Sequence, residues 1–110
     1  MGHLIDTDRI FSYRALCLAR NDAARALSLP GFEQDDYVRA GEFNSRTLTS
    51  LLEELQVVRD STIALFRNLP RDAWLHRGIV SKWNVTVRGL AFHTAGHELH
   101  HVKILRARYL

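Results

Sequence analysis

Between Phe92 and Arg106 stand four of the chain's six histidines: His93, His97, His100 and His101. Imidazole is the commonest protein ligand for zinc and its neighbours among the divalent ions. Residues four apart on a helix share a face, with Cβ atoms roughly 5–6 Å apart. His93 with His97, and His97 with His101, are such pairs. Two imidazoles at that spacing can close on one metal ion, as in a His-Glu-x-x-His helix.

The segment contains no proline, and its apolar residues recur at helical spacing, which predicts a helix from about Asn84 or Thr86 to the C-terminus. At about 100° per residue, Val87, Leu90, Thr94, His97, His101, Ile104 and Arg108 fall on one seam. His93 and His100 lie off it. Periodicity therefore turns His97 and His101 inward. Buried imidazoles are costly unless their nitrogens are satisfied. A metal ion would satisfy them; so would hydrogen bonds among polar seam residues that set the register of a bundle. A catalytic site of this kind takes a third protein ligand and keeps one position open. By residue type that ligand is open among His3, His76, Glu98 and the acidic residues Glu33, Asp35 and Asp36.

Two further long helices are expected to position this segment. Residues 3–20 carry one stripe at Leu4, Phe11, Ala15 and Leu18 and another at His3, Thr7 and Ile10. A helix that starts this close to a terminus is expected to fray. Residues 45–68 carry Leu48, Leu51, Leu52, Leu55, Val58, Thr62, Leu65 and Phe66 at spacings of three and four, a near-heptad stripe suited to bundle packing. Pro70 stops that helix. Of the two connections, residues 21–44 are long and hold Pro30-Gly31, with a short helix expected around Asp35–Ala40. Residues 70–84 hold Trp74, His76 and Trp83, with an extended piece around Ile79–Val80. With three long helices and no convincing strand pattern, the expectation is an all-α, bundle-type fold.

Residues 1–110 are the length of one domain. The 46% hydrophobic and 25% charged fractions are those of an ordinary globular chain. A single cysteine, Cys17, excludes a disulfide framework and fits a reducing compartment. No apolar run is long enough to span a membrane and no signal peptide opens the chain, so a cytoplasmic protein is expected. The net charge of +3 comes from scattered basic residues. Arg14, Arg20, Arg39, Arg59 and Arg88 form no stripe, and nucleic acid is not an expected partner.

Three segments together resemble the DinB/YfiT-like superfamily. Gly2–Ala15 (GHLIDTDRIFSYRA) is similar to the start of that family's second helix, Leu29–Tyr37 (LPGFEQDDY) to the connection after it in one branch, and Ala95–Leu105 (AGHELHHVKIL) to its fourth helix. The resemblance implies an up-and-down four-helix bundle in which three histidines hold a divalent metal, usually zinc or nickel. Carried over by position, the ligands are His3, His97 and His101. It further implies a metal-dependent hydrolase, or a thiol-dependent transferase, acting on a small molecule. Family members carry a helix ahead of the position of His3, which this sequence does not. The resemblance therefore implies three long helices here, with an apolar groove left open or covered by another protomer, and a homodimer is expected. A non-catalytic helical interaction module or a fragment, with a structural metal or none, is the alternative.

With such a site, Glu98, Asp6 and Asp8 are candidates to orient the imidazoles, and His100 to shuttle protons. The plainer readings are carboxylates that are solvated or placed against a helix dipole, and an outward-facing imidazole. Tyr37 and the Glu33–Asp36 patch are candidates for a pocket mouth, or an ordinary surface loop. Cys17 is read as a small packing residue.

Overall fold

The computed structural model describes the backbone of residues 2–21 and 27–109, and the side chains of residues 2–21, 27–97 and 99. Helix α1 runs Gly2–Arg20, and the pair Ser28–Leu29 forms strand β1. A short helix α2, Gln34–Gly41, and a 3-10 turn at Phe43–Ser45 lead into helix α3, Leu48–Arg67. A second 3-10 turn, Arg71–Leu75, precedes strands β2 (Arg77–Val80) and β3 (Trp83–Thr86) and helix α4 (Val87–Tyr109). No described helix is long and apolar enough to cross a membrane.

The expectation of an all-α fold is corrected by a three-stranded sheet in the order β1-β2-β3. Strand β1 pairs with β2 in parallel, Ser28 opposite Ile79, and β2 pairs with β3 antiparallel, Ile79 opposite Asn84. The long connections have backbone groups that must find partners once they are drawn against the helices. They find them in one another: Ile79 N–H donates to the Leu27 carbonyl at 2.8 Å and Ser81 N–H to that of Leu29 at 3.0 Å. The hairpin turns through Ser81 and Lys82, whose φ angles are 53° and 101°. Both central residues of a two-residue turn with positive φ match the twist of the flanking strands. Asn-Gly would have advertised that turn; Ser-Lys does not.

Helix α1 is the axis of the molecule, with α3 and α4 both packed against it. Along α1 and α3 the paired positions rise together: Arg9 with Glu54, then Ser12 with Thr62. These helices are therefore parallel, which corrects the expectation of an up-and-down bundle. Along α1 and α4 they run opposite: His3 meets His97 and Phe11 meets His93. Helix α3 starts where the Thr47 hydroxyl accepts from Ser50 N–H at 3.1 Å. At the start of α4, Thr86 Oγ1 accepts from Gly89 N–H at 3.0 Å.

The core has two parts. Ala15, Leu18, Ala19, Leu69, Val87 and Leu90 form one; Ile5, Leu51 and Val58 form the other, with Phe43 packed against them. The first turn of α1 belongs to this second part, which corrects the expectation of a frayed start: Leu4 and Ile5 are buried. Gly2 makes this closure fit, because a Cβ there would run into the Phe43 ring. Gly78 does the same at the other end, where a Cβ would meet Leu18 and the Leu27 carbonyl. Between the two apolar parts lies a polar belt containing Thr7, Asp8, Thr62 and Thr94, all buried.

Candidate metal centre and adjoining cavity

On α4 the seam residues Val87, Leu90 and Thr94 are buried and His97 is half-buried. On α1, His3 is half-buried one turn before Thr7. The antiparallel packing of the two helices brings them together: His3 Nε2 lies 3.2 Å from His97 Nε2. The rings meet edge to face, with centroids 5.0 Å apart. His3 Nδ1 lies 3.2 Å from the Thr7 hydroxyl. With Nδ1–H donating to Thr7 Oγ1, the His3 Nε2 lone pair is turned toward His97. A metal-binding imidazole is usually oriented by a hydrogen bond at its other ring nitrogen, and here the Thr7 hydroxyl stands at that position.

The donor set fits a divalent ion at these two positions. Zinc–nitrogen bonds are about 2.0–2.1 Å and tetrahedral, so two nitrogens on one ion lie about 3.3 Å apart. The 3.2 Å separation here is also that of an N–H···N hydrogen bond. Among the described residues no group of three or more His, Cys, Asp or Glu side chains is gathered tightly enough to hold a metal. His101 falls one turn beyond His97 on α4, but its side chain lies outside the described residues, as do those of Glu98 and His100.

The carboxylates divide. Asp8, 3% exposed, accepts from Ser12 at 3.3 Å and from the Thr62 hydroxyl, and lies 3.4 Å from an Arg59 nitrogen. It ties α1 to α3 across the polar belt. Together with Leu4, Thr7, Arg59, Thr94 and His97 it lines a crevice of about 10 Å³, the size of one water. Asp6 is half-buried; burial pushes its carboxyl above the usual range, partly offset by Arg9.

His76 is engaged elsewhere. Its Nδ1 donates to the Leu18 carbonyl at 3.0 Å, and its own carbonyl accepts from Val87 N–H at 3.1 Å, so it ties the end of α1 to the start of α4. Glu33, Asp35 and Asp36 are exposed at the start of α2. Tyr37 is exposed with its ring against Phe32, centroids 5.1 Å apart. Cys17 is a half-buried free thiol.

A cavity of about 400 Å³ lies between α1, the β2–β3 hairpin and the first turns of α4. Phe11, Arg14, Trp83, Val85 and His93 are among the residues that line it. Phe11 is part of its wall, 4.9 Å from the His93 ring and 6.2 Å from that of His97. Sequence reasoning did not single out Phe11, Arg14 and His93 as a group. A signal existed for Arg14: it falls on the apolar stripe of α1, between Phe11 and Leu18. His93 carried none, because it turns toward a hairpin that the chain pattern does not display.

A family model for the DinB superfamily matches residues 1–105. Comparison with curated proteins and with solved structures gives no significant match. The chain belongs to the DinB superfamily.

Proposed function

From membership of the DinB superfamily, we propose that this chain is a metal-dependent enzyme, a hydrolase or thiol-dependent transferase acting on a small molecule. His3, His97 and His101 are its metal ligands, with zinc or nickel as the ion. The supporting observation is the 3.2 Å approach of His3 Nε2 to His97 Nε2, between residues 94 apart in sequence. When bound, such an ion supplies Lewis acidity that makes a water or thiol nucleophilic near neutral pH.

The chain's own residues do the rest. Thr7 holds the His3 ring through Nδ1, with Nε2 on the His97 side. Asp8, whose Oδ1 accepts from Thr62 and Ser12 and whose Oδ2 lies 3.4 Å from an Arg59 nitrogen, keeps α1 in register against α3, and with it the position of His3. Phe11 lies beside His97, ring centroids 6.2 Å apart. Glu98 and His100 follow His97 on α4 and are the candidates to move protons.

The test is metal content followed by stability. Purified protein is expected to carry about one zinc or nickel per chain, removable by chelator. Free zinc at a hundred times its dissociation constant should stabilise the protein by about 2.7 kcal/mol. His97→Ala and His3→Ala should abolish both effects. Absence of stoichiometric metal, together with an unchanged zinc response in His97→Ala, would overturn the proposal. A second reading is a non-catalytic helical module that pairs with a second copy. Favouring it is an apolar cleft of about 380 Å³ between α3 and α4, lined in part by Ile63, Phe66, Ala91 and Ala95.

A further inference from the structure

The cavity between α1, the β2–β3 hairpin and α4 has a pronounced chemical polarity. Its body is apolar: Phe11, Val80, Trp83, Val85 and Leu90 line it. Among the described residues that line it, Arg14 is the one fixed charge and none is a carboxylate. Arg14 as a residue is 8% exposed, yet it is ion-paired to no carboxylate among the described residues. It lies 5.7 Å from the Phe11 ring and 5.6 Å from that of Phe32. One nitrogen donates to the Pro30 carbonyl at 3.0 Å. A guanidinium has five N–H donors in a planar fork that matches a carboxylate. Burial draws its pKa below the ordinary value.

We propose that this cavity binds the carboxylate end of an organic acid with an aromatic or branched apolar body, and that Arg14 selects that acid. Two aromatic faces orient the guanidinium plane, and the Pro30 carbonyl occupies one donor, leaving others for the ligand. The apolar body lies against Trp83 and Val85. Phe11 touches both the Arg14 guanidinium and the His93 ring, and His93 lines the same cavity, so the acid's far end can reach the His93 side. That this acid is a substrate rests on the metal-site proposal; that it binds does not. A buried arginine that merely staples Pro30 to α1 would show no preference for an acid over its neutral analogue.

The experiment compares phenylacetate with phenylacetamide, read by Trp83 fluorescence in a Trp74→Phe background, with and without added zinc. Phenylacetate is expected to bind at least tenfold more tightly than the amide and to shift Trp83 emission. Arg14→Gln should remove that preference, with Arg14→Lys keeping part of it. Equal affinities for acid and amide, or acid binding unchanged in Arg14→Gln, would overturn the assignment. Should Arg14→Gln fail to fold, Val85→Phe fills the cavity without touching the charge. It is expected to lose phenylacetate, and full retention overturns the assignment. Acid selectivity in a protein that takes up no zinc sinks the metal proposal and leaves the carboxylate site standing. Zinc uptake without acid selectivity sinks the carboxylate site alone.

Discussion

At the scale of single residues, charge placement decides most. Glu54 accepts from both Arg46 and Arg9, joining α3 to the segment before it and to α1. Arg46 foremost, and Arg9 with it, hold the carboxyl below its ordinary value of 4.5. A carboxyl depressed in the folded state contributes stability above its unfolded value, and that contribution is lost as pH falls through the folded one. Glu54→Gln should therefore cost about 1 kcal/mol at pH 7. The deficit should shrink below pH 4.5. Urea melts of both proteins at pH 7 and pH 3 test this; an equal deficit at both would count against it. None of these partners was legible in the sequence. Glu54 is one of several acidic residues on α3, and only the parallel packing of α1 and α3 brings Arg9 to it. Thr94 and His97 were legible, because their inward direction follows from seam periodicity along one helix.

At the scale of elements, the helices were readable, and of the sheet only the extended piece around Ile79–Val80, which belongs to β2. Leu48–Arg67 lies within the 45–68 stripe, bounded by the Thr47 cap and Pro70. The short helix expected near Asp35–Ala40 is α2, Gln34–Gly41. Strand β1 is only two residues long and exists through its parallel pairing with β2, fifty residues away. A two-residue strand has no period to detect. The hairpin turn is also masked, since Lys82 adopts a φ of 101° without being glycine. Left-handed backbone costs an L-residue about 1–2 kcal/mol. Lys82→Gly should therefore stabilise the protein, by about 0.5–1 kcal/mol after the entropy of the unfolded glycine is counted. A thermal melt that falls rather than rises would show that Lys82 contributes a contact exceeding the strain.

At the scale of the whole molecule, the open question is the cleft between α3 and α4. Both helices pack against α1 and leave between them an apolar surface that includes Ile63 and Phe66. Ile63, Phe92 and Leu99 are exposed. Surfaces of this kind are commonly covered, and a second copy of the chain is the occupant proposed. Sedimentation should give twice the chain mass at micromolar concentration, and Ile63→Glu should give the single mass. A monomeric wild-type protein would end the dimer proposal. The sequence by itself determined where the helices run and which faces of them are apolar, because helical periodicity is a property of consecutive residues. It also carried the family, through motifs whose spacing survives in one dimension. The tertiary structure alone decided that Phe11 meets His93, that β1 meets β2, and that His3 comes within 3.2 Å of His97. Those meetings depend on the relative direction and register of distant elements, which are set by packing around α1 and not by any local run of residues.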